Sequence, residues 1–173
     1  MKYKVMICWM LLVVVLLGGC RSGSKTATLP EGVPSDLTIL SLGADTSELT
    51  ADQVALLQQT INWMNRDMIR SFQRQGFNTT QITEENEFKG AGNSHLLKIS
   101  ITSHRMIPKG ARMWGGMMAG SDRLNAHYDL VNASGKIVLS WDDVQASSKG
   151  GTYCARTLNR NATNKVVAFL SGA

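Results

Sequence analysis

Residues 124–141 read LNAHYDLVNASGKIVLSW, and this stretch decides the fold. Leu124, Ala126, Tyr128 and Leu130 alternate with Asn125, His127 and Asp129, and Ile137, Leu139 and Trp141 resume the alternation after Asn132-Ala133-Ser134-Gly135. A period of two belongs to a strand with one face buried and one wet. Two such runs joined by a short Gly-bearing turn predict an antiparallel hairpin. Upstream, Leu97, Ile99 and Ile101 alternate with Lys98, Ser100 and Thr102 and predict another strand.

Working outward, the period changes. Val54, Leu57, Ile61, Met64, Met68 and Phe72 follow 3-and-4 spacing, so a helix is predicted from Thr50 or Asp52, either of which can cap it, to about Gln75, with Gly76 as its stop. Cys154, Leu158, Ala162, Val166 and Leu170 lie four apart and predict a final helix from Thr152. Short β-like runs at 37–42 and, more weakly, 77–83 complete the pattern, and the polar, Gly-bearing segment 84–94 reads as a loop. The prediction is an α+β domain of order β-α-β-β-β-β-α: an antiparallel sheet of four to five strands with both helices on one face. Lys98, Ser100, Thr102, Asn125, His127, Asp129, Ser140 and Asp142 then share the opposite, wet face.

The N-terminal residues carry an address. Residues 1–4 are a short basic head, and 5–17 (VMICWMLLVVVLL) are apolar without a charge, too short to span a bilayer as a helix. This pattern predicts a secretory signal peptide. Leu17-Gly18-Gly19-Cys20 resembles a bacterial lipobox, which implies cleavage after residue 19 and acylation of Cys20. An ordinary signal peptide or an uncleaved anchor is the competing reading. Several acyl chains on one Cys anchor stably where a single chain does not. Arg21, where an Asp would imply retention in the inner membrane, points by the same resemblance to the outer membrane facing the periplasm. Residues 20–34 read as the lipidated Cys and a Gly/Ser/Pro-rich tether, and 35–173 as one domain. With Cys8 in the signal and Cys20 acylated, Cys154 is the thiol that remains, and no disulfide framework is expected.

Three pieces carry a family resemblance: Arg74-Gln75-Gly76-Phe77 closing a helix, Met113-Trp114-Gly115-Gly116-Met117-Met118-Ala119-Gly120-Ser121 between strands, and Asn132-Ala133-Ser134-Gly135-Lys136 in the hairpin. Together they resemble the bacterial lipoproteins and secreted proteins grouped as domain of unknown function 4410. The resemblance implies an architecture and an envelope location. It implies no mechanism.

The 173 residues include 18 Lys and Arg against 13 Asp and Glu, a formal charge of +5, without a long basic run, so nucleic acid is not indicated as a partner. There is no G-x-S-x-G, H-E-x-x-H or P-loop, and consecutive Asp142 and Asp143 on a strand must point to opposite faces. Enzymatic activity therefore ranks third among the readings, and no cofactor is expected. A small-ligand or copper-binding protein ranks second: His104 and His127 share a strand phase, and Met106, Met113, Met117 and Met118 offer soft thioethers suited to Cu(I), though no compact ligand motif assigns a metal site. The first reading is a non-catalytic binding or assembly module with an envelope protein as partner. Its candidate contacts are Arg112, Trp114, Met117 and Met118 in the Gly/Met-rich loop, and Trp63, Arg66 and Arg70 opposite the helix's apolar stripe, because Trp, Arg and Met concentrate in interfaces. The loop could equally fold over its own sheet or meet lipid, and the arginines could be an ordinary solvated face.

Overall fold

The alternation of 124–141 becomes β4 (Asp122–Asn132) and β5 (Ile137–Ser147), paired antiparallel. Asn132 closes their turn: its Oδ1 accepts the Ser134 and Lys136 amides at 3.1 and 3.0 Å, and Gly135 takes the left-handed φ of 80° the turn requires. The remaining elements are β1 (Asp36–Leu42), α1 (Ala51–Gln73), β2 (Asn78–Ile82), a 3-10 turn (Glu85–Glu87), β3 (His95–Arg105) and α2 (Gly151–Leu170). The computed structural model describes residues 36–107, 110, 113, 114 and 120–172. The expected order of elements is the observed one, and the fold is α+β. Among the described residues no helix is long and apolar enough to cross a membrane.

The helix caps follow from the sequence. Thr50, rather than Asp52, caps α1 in a reciprocal box, its Oγ1 accepting the Gln53 amide while Gln53 Oε1 accepts the Thr50 amide. At the other end Gly76 (φ 93°) turns the chain so that Phe77 packs edge-on against Phe72, 5.3 Å between rings. Both helices lie on one sheet face. Leu57, Met64, Met68 and Phe72 of α1 and Leu158, Ala162 and Val166 of α2 cover Leu37, Ile39, Leu97, Ile99, Leu124 and Tyr128. Tyr128 stacks on Trp141 at 4.8 Å inside that core.

The sheet runs β2-β1-β3-β4-β5, and it is mixed rather than wholly antiparallel, because β1 lies parallel to both β2 and β3. Parallel neighbours cannot be joined by a tight turn; each needs a return crossing. Helix α1 is the return from β1 to β2. The return from β2 to β3, residues 83–94, crosses the face away from the helices, where Phe88 seals Leu40, Leu96, Val131 and Ile82 into a second small core. The expected wet face is therefore half dry. The segment 84–94 is also more than a solvated loop: Glu85 pairs with Lys98 at 2.9 Å, and Gly90 lies so close to the Ala133 backbone that a Cβ could not fit.

Two bulges move side chains across the sheet. The register shifts between Ile101 and Ser103, so His104 faces Leu124 on the helix side instead of sharing the phase of His127. A second shift, between Leu130 and Val131, pairs Ile137 with Val131 of the second core and leaves it 51% exposed.

Candidate functional site

Strand directions give the domain two ends. Asp36, the start of β3, the 132–137 turn and both helix C-termini share the proximal end, the one at which the N-terminal segment joins the domain. The end of β3, the start of β4 and both helix N-termini share the distal end. Eleven residues of β3 separate the two by roughly 35 Å.

At the distal end Met113 and Trp114 are 79% and 90% exposed, the largest exposures among the big hydrophobics of the described residues. Trp114 thus stands where the sequence placed it, in the connection between β3 and β4. Arg112, Met117, Met118 and Cys20 lie outside the described residues. Beside this connection a cleft of about 310 Å³ opens at the N-terminus of α2, lined by Leu56, Thr60, Met106, Asp122 and Lys149. Asp122 is buried there and accepts the Ile107 amide at 2.8 Å, while its carbonyl accepts the Cys154 thiol at 3.6 Å. A Cβ on Gly151 would meet Met106 Sδ at 2.8 Å and Thr60 Oγ1 at 3.0 Å, so the glycine lets α2 start against α1.

The helix layer departs from expectation at Trp63. Trp63 is half-buried and packs against the core, because α2 runs beside it: the Arg156 guanidinium sits over its ring at 5.6 Å. Arg156 also lies 5.8 Å from the Tyr153 ring, and Lys149 lies 4.8 Å from the same ring. The result is a row of alternating cations and aromatics along the helix pair. Arg66 and Arg70 are exposed as expected. The part of this surface supplied by α2 was missed. Its signal was Lys149 just before the helix and Tyr153, Arg156 and Arg160 within it, at 3-and-4 spacing in a helix without an acidic residue.

On the sheet face β4 and β5 assemble a cluster that spacing alone does not show. His127 bridges two carboxylates, Nδ1 to Asp142 at 2.9 Å and Nε2 to Asp129 at 3.2 Å. The hydrogen bond with Asp142, reinforced by the charge of Asp129, raises the His127 pKa above its ordinary value despite partial desolvation. Ser140 Oγ lies 3.5 Å from His127 Nε2, so the residue types match a Ser-His-Asp nucleophile. The hydroxyl, however, donates to Asp129 at 2.7 Å. With its proton committed to that carboxylate, the hydroxyl is not aimed at the imidazole as a triad nucleophile would be. This geometry makes a cross-strand clamp. Asp143, one residue on, points the other way and accepts from Asn161 of α2 at 2.8 Å.

A copper site built on His104 and His127 is corrected by the bulge, which puts the two imidazoles on opposite sheet faces. Among the described residues no group of three or more His, Cys, Asp and Glu is placed to hold a metal.

These features define a class by architecture: one mixed five-stranded sheet, a parallel helix pair on one face, and an apolar distal tip. No family model matches the chain, and no curated protein matches it, so the resemblance to domain of unknown function 4410 stays one of short motifs. Among solved structures the chain is similar to the PelC dodecamer from Paraburkholderia phytofirmans, at 14% identity and a TM-score of 0.50, over 79% of this chain and 92% of that one. It is also matched with uncharacterized lipoprotein B from Nitrosomonas europaea, at 9% identity and a TM-score of 0.31, over 86% and 87%. At 14% identity the likeness to PelC is one of fold.

Proposed function

We propose that this chain is a lipoprotein of the outer membrane whose periplasmic domain is a non-catalytic binding or assembly module, with its distal tip as the partner contact. The observation that carries the reading is Trp114, 90% exposed beside Met113. An indole left in water costs hydrophobic free energy that a partner's surface would recover, and Trp is a favoured interface anchor. The lipobox at Leu17-Gly18-Gly19-Cys20 supplies the anchor. The tip lies at the end opposite the segment leading to Cys20, which favours a protein partner over lipid for this loop.

The fold likeness to PelC, whose structure is a dodecamer, favours a second reading in which the partner is another copy of this chain. A photo-crosslinking residue in place of Trp114, activated in cells, separates the two. One envelope protein joined to the chain supports the first reading, and adducts at multiples of the chain's own mass support the second. A chain that stays monomeric and uncrosslinked rules out both.

A further inference from the structure

We propose that the outer face of the helix pair is a docking surface for an anionic lipid membrane, which lays the domain on the bilayer and holds the Trp114 tip away from the point of attachment. The surface is built by the parallel register of the helices. Gly151 abuts Thr60, Asn159 donates to the Met64 carbonyl and to Asp67, both at 2.9 Å, and Thr163 meets Met68. Arg156 and Arg160, one turn apart on α2, therefore run alongside Trp63, Arg70 and Arg74, which are seven and four residues apart on α1. All four arginines are exposed, and among the described residues none of them makes an ion pair. Asp67, the acid among them, is engaged by Asn159, and α2 contains no acidic residue at all.

Four guanidiniums without a carboxylate partner among the described residues, flanked by a Tyr153 that is 42% exposed, suit a surface of negative charge with an apolar interior beneath it. Among the described residues the sheet face does not repeat this pattern. On the sheet face Lys98 is paired with Glu85 and His127 with two carboxylates, and Arg105 and Arg123 stand with Asp129 and Asp142 in a mixed field.

The position of the patch selects a membrane over a soluble polyanion. Arg70 and Arg74 lie at the C-terminal end of α1, one tight turn before Asn78, whose side chain donates to Asp36 at 2.8 Å. The chain leading back to Cys20 thus joins the domain beside the arginines. Fourteen residues reach at most roughly 50 Å, so the acyl anchor of the reading above keeps this face near headgroups at high effective concentration. To that extent the inference rests on that reading.

The test uses the acylated chain reconstituted in vesicles of phosphatidylcholine, with and without phosphatidylglycerol. An environment-sensitive fluorophore is placed at Asn164→Cys, exposed one turn beyond Arg160, or at Thr102→Cys, exposed on β3, while buried Cys154 stays unlabelled. The expected result is a blue shift at position 164 that needs phosphatidylglycerol and is lost in high salt. The shift should also be lost in Arg70→Glu/Arg156→Glu/Arg160→Glu and kept when the same three become Lys, which guards against misfolding. A shift at position 102 as large as at 164, a shift without phosphatidylglycerol, or one that survives charge reversal would overturn the proposal. So would a probe that responds to soluble polyglutamate and not to the vesicles. Attachment to pure phosphatidylcholine vesicles reads the anchor separately: its loss with the lipid-dependent shift intact would sink the lipoprotein reading and leave the docking surface standing.

Discussion

At the scale of single residues, burial decides what Cys154 can do and charge decides what His127 can do. Cys154 is 1% exposed, and its thiol points at the Asp122 carbonyl. A thiol shielded in this way stays protonated and does not exchange. We expect maleimide to label it only after denaturation, and Cys154→Ser to cost about 1–3 kcal/mol by chemical denaturation, since it takes a more polar hydroxyl out of water at a site packed around a larger thiol. A disulfide-linked dimer on a non-reducing gel, abolished by that substitution, would contradict this. His127 is more exposed and acts through charge. Its folded pKa is raised, so its stabilising contribution is complete below the unfolded value near 6.5 and disappears as pH rises through the folded value. His95 is lowered by burial and works in the opposite sense, stability growing as it deprotonates. The difference between wild type and His127→Gln isolates the first effect: unfolding midpoints should diverge below about pH 6 and converge as pH rises past the raised folded value.

At the scale of elements, the legible parts were those governed by near neighbours in sequence. The stripe of α1, the Thr50 cap and the Asn132–Gly135 turn all depend on residues within a few positions of one another. The misread parts depended on register. His104 and Ile137 changed faces because one extra residue in a bulge reverses every later side chain, and a bulge leaves no mark in simple alternation. Segment 84–94 reads as a loop in the sequence because its purpose, covering Leu40, Leu96 and Val131, becomes visible only once β1 is placed between β2 and β3. Gly90 tests that packing. Its missing Cβ admits the Ala133 backbone, which cannot step aside as a flexible side chain would. Gly90→Ala should therefore destabilise by about 1–3 kcal/mol and speed amide exchange in 83–94 and in the 132–137 turn together. Exchange that rises in one segment alone would mean they do not pack as a unit.

At the scale of the whole molecule, the two ends and the two faces carry different chemistry. The anchor should be proximal, the arginine surface lateral and the tryptophan tip distal. Removing the anchor is the direct check: Cys20→Ala should leave an uncleaved or soluble form, and a mature-length variant that still fractionates with outer membrane would refute the lipobox assignment. The half-burial of Trp63 changes one expectation. Trp63→Ala removes packing against the core as well as a surface ring, so it should lower the melting temperature, whereas Trp114→Ala should leave it within about a degree.

The sequence alone determined the signal and lipobox pattern, the α+β class and the order of the elements. Each follows from composition, from a period of two or 3.6, or from a short motif, and those are local properties of the chain. Tertiary structure decided the mixed sheet, the half-dry face, the His127 clamp and the pairing of Arg156 with Trp63. These bring together residues up to 93 positions apart, and no local pattern states which of many possible registers best fills the core while satisfying the buried polar groups. The arginines were visible as a stripe on one helix. Only the parallel packing of the second helix beside them made that stripe a surface.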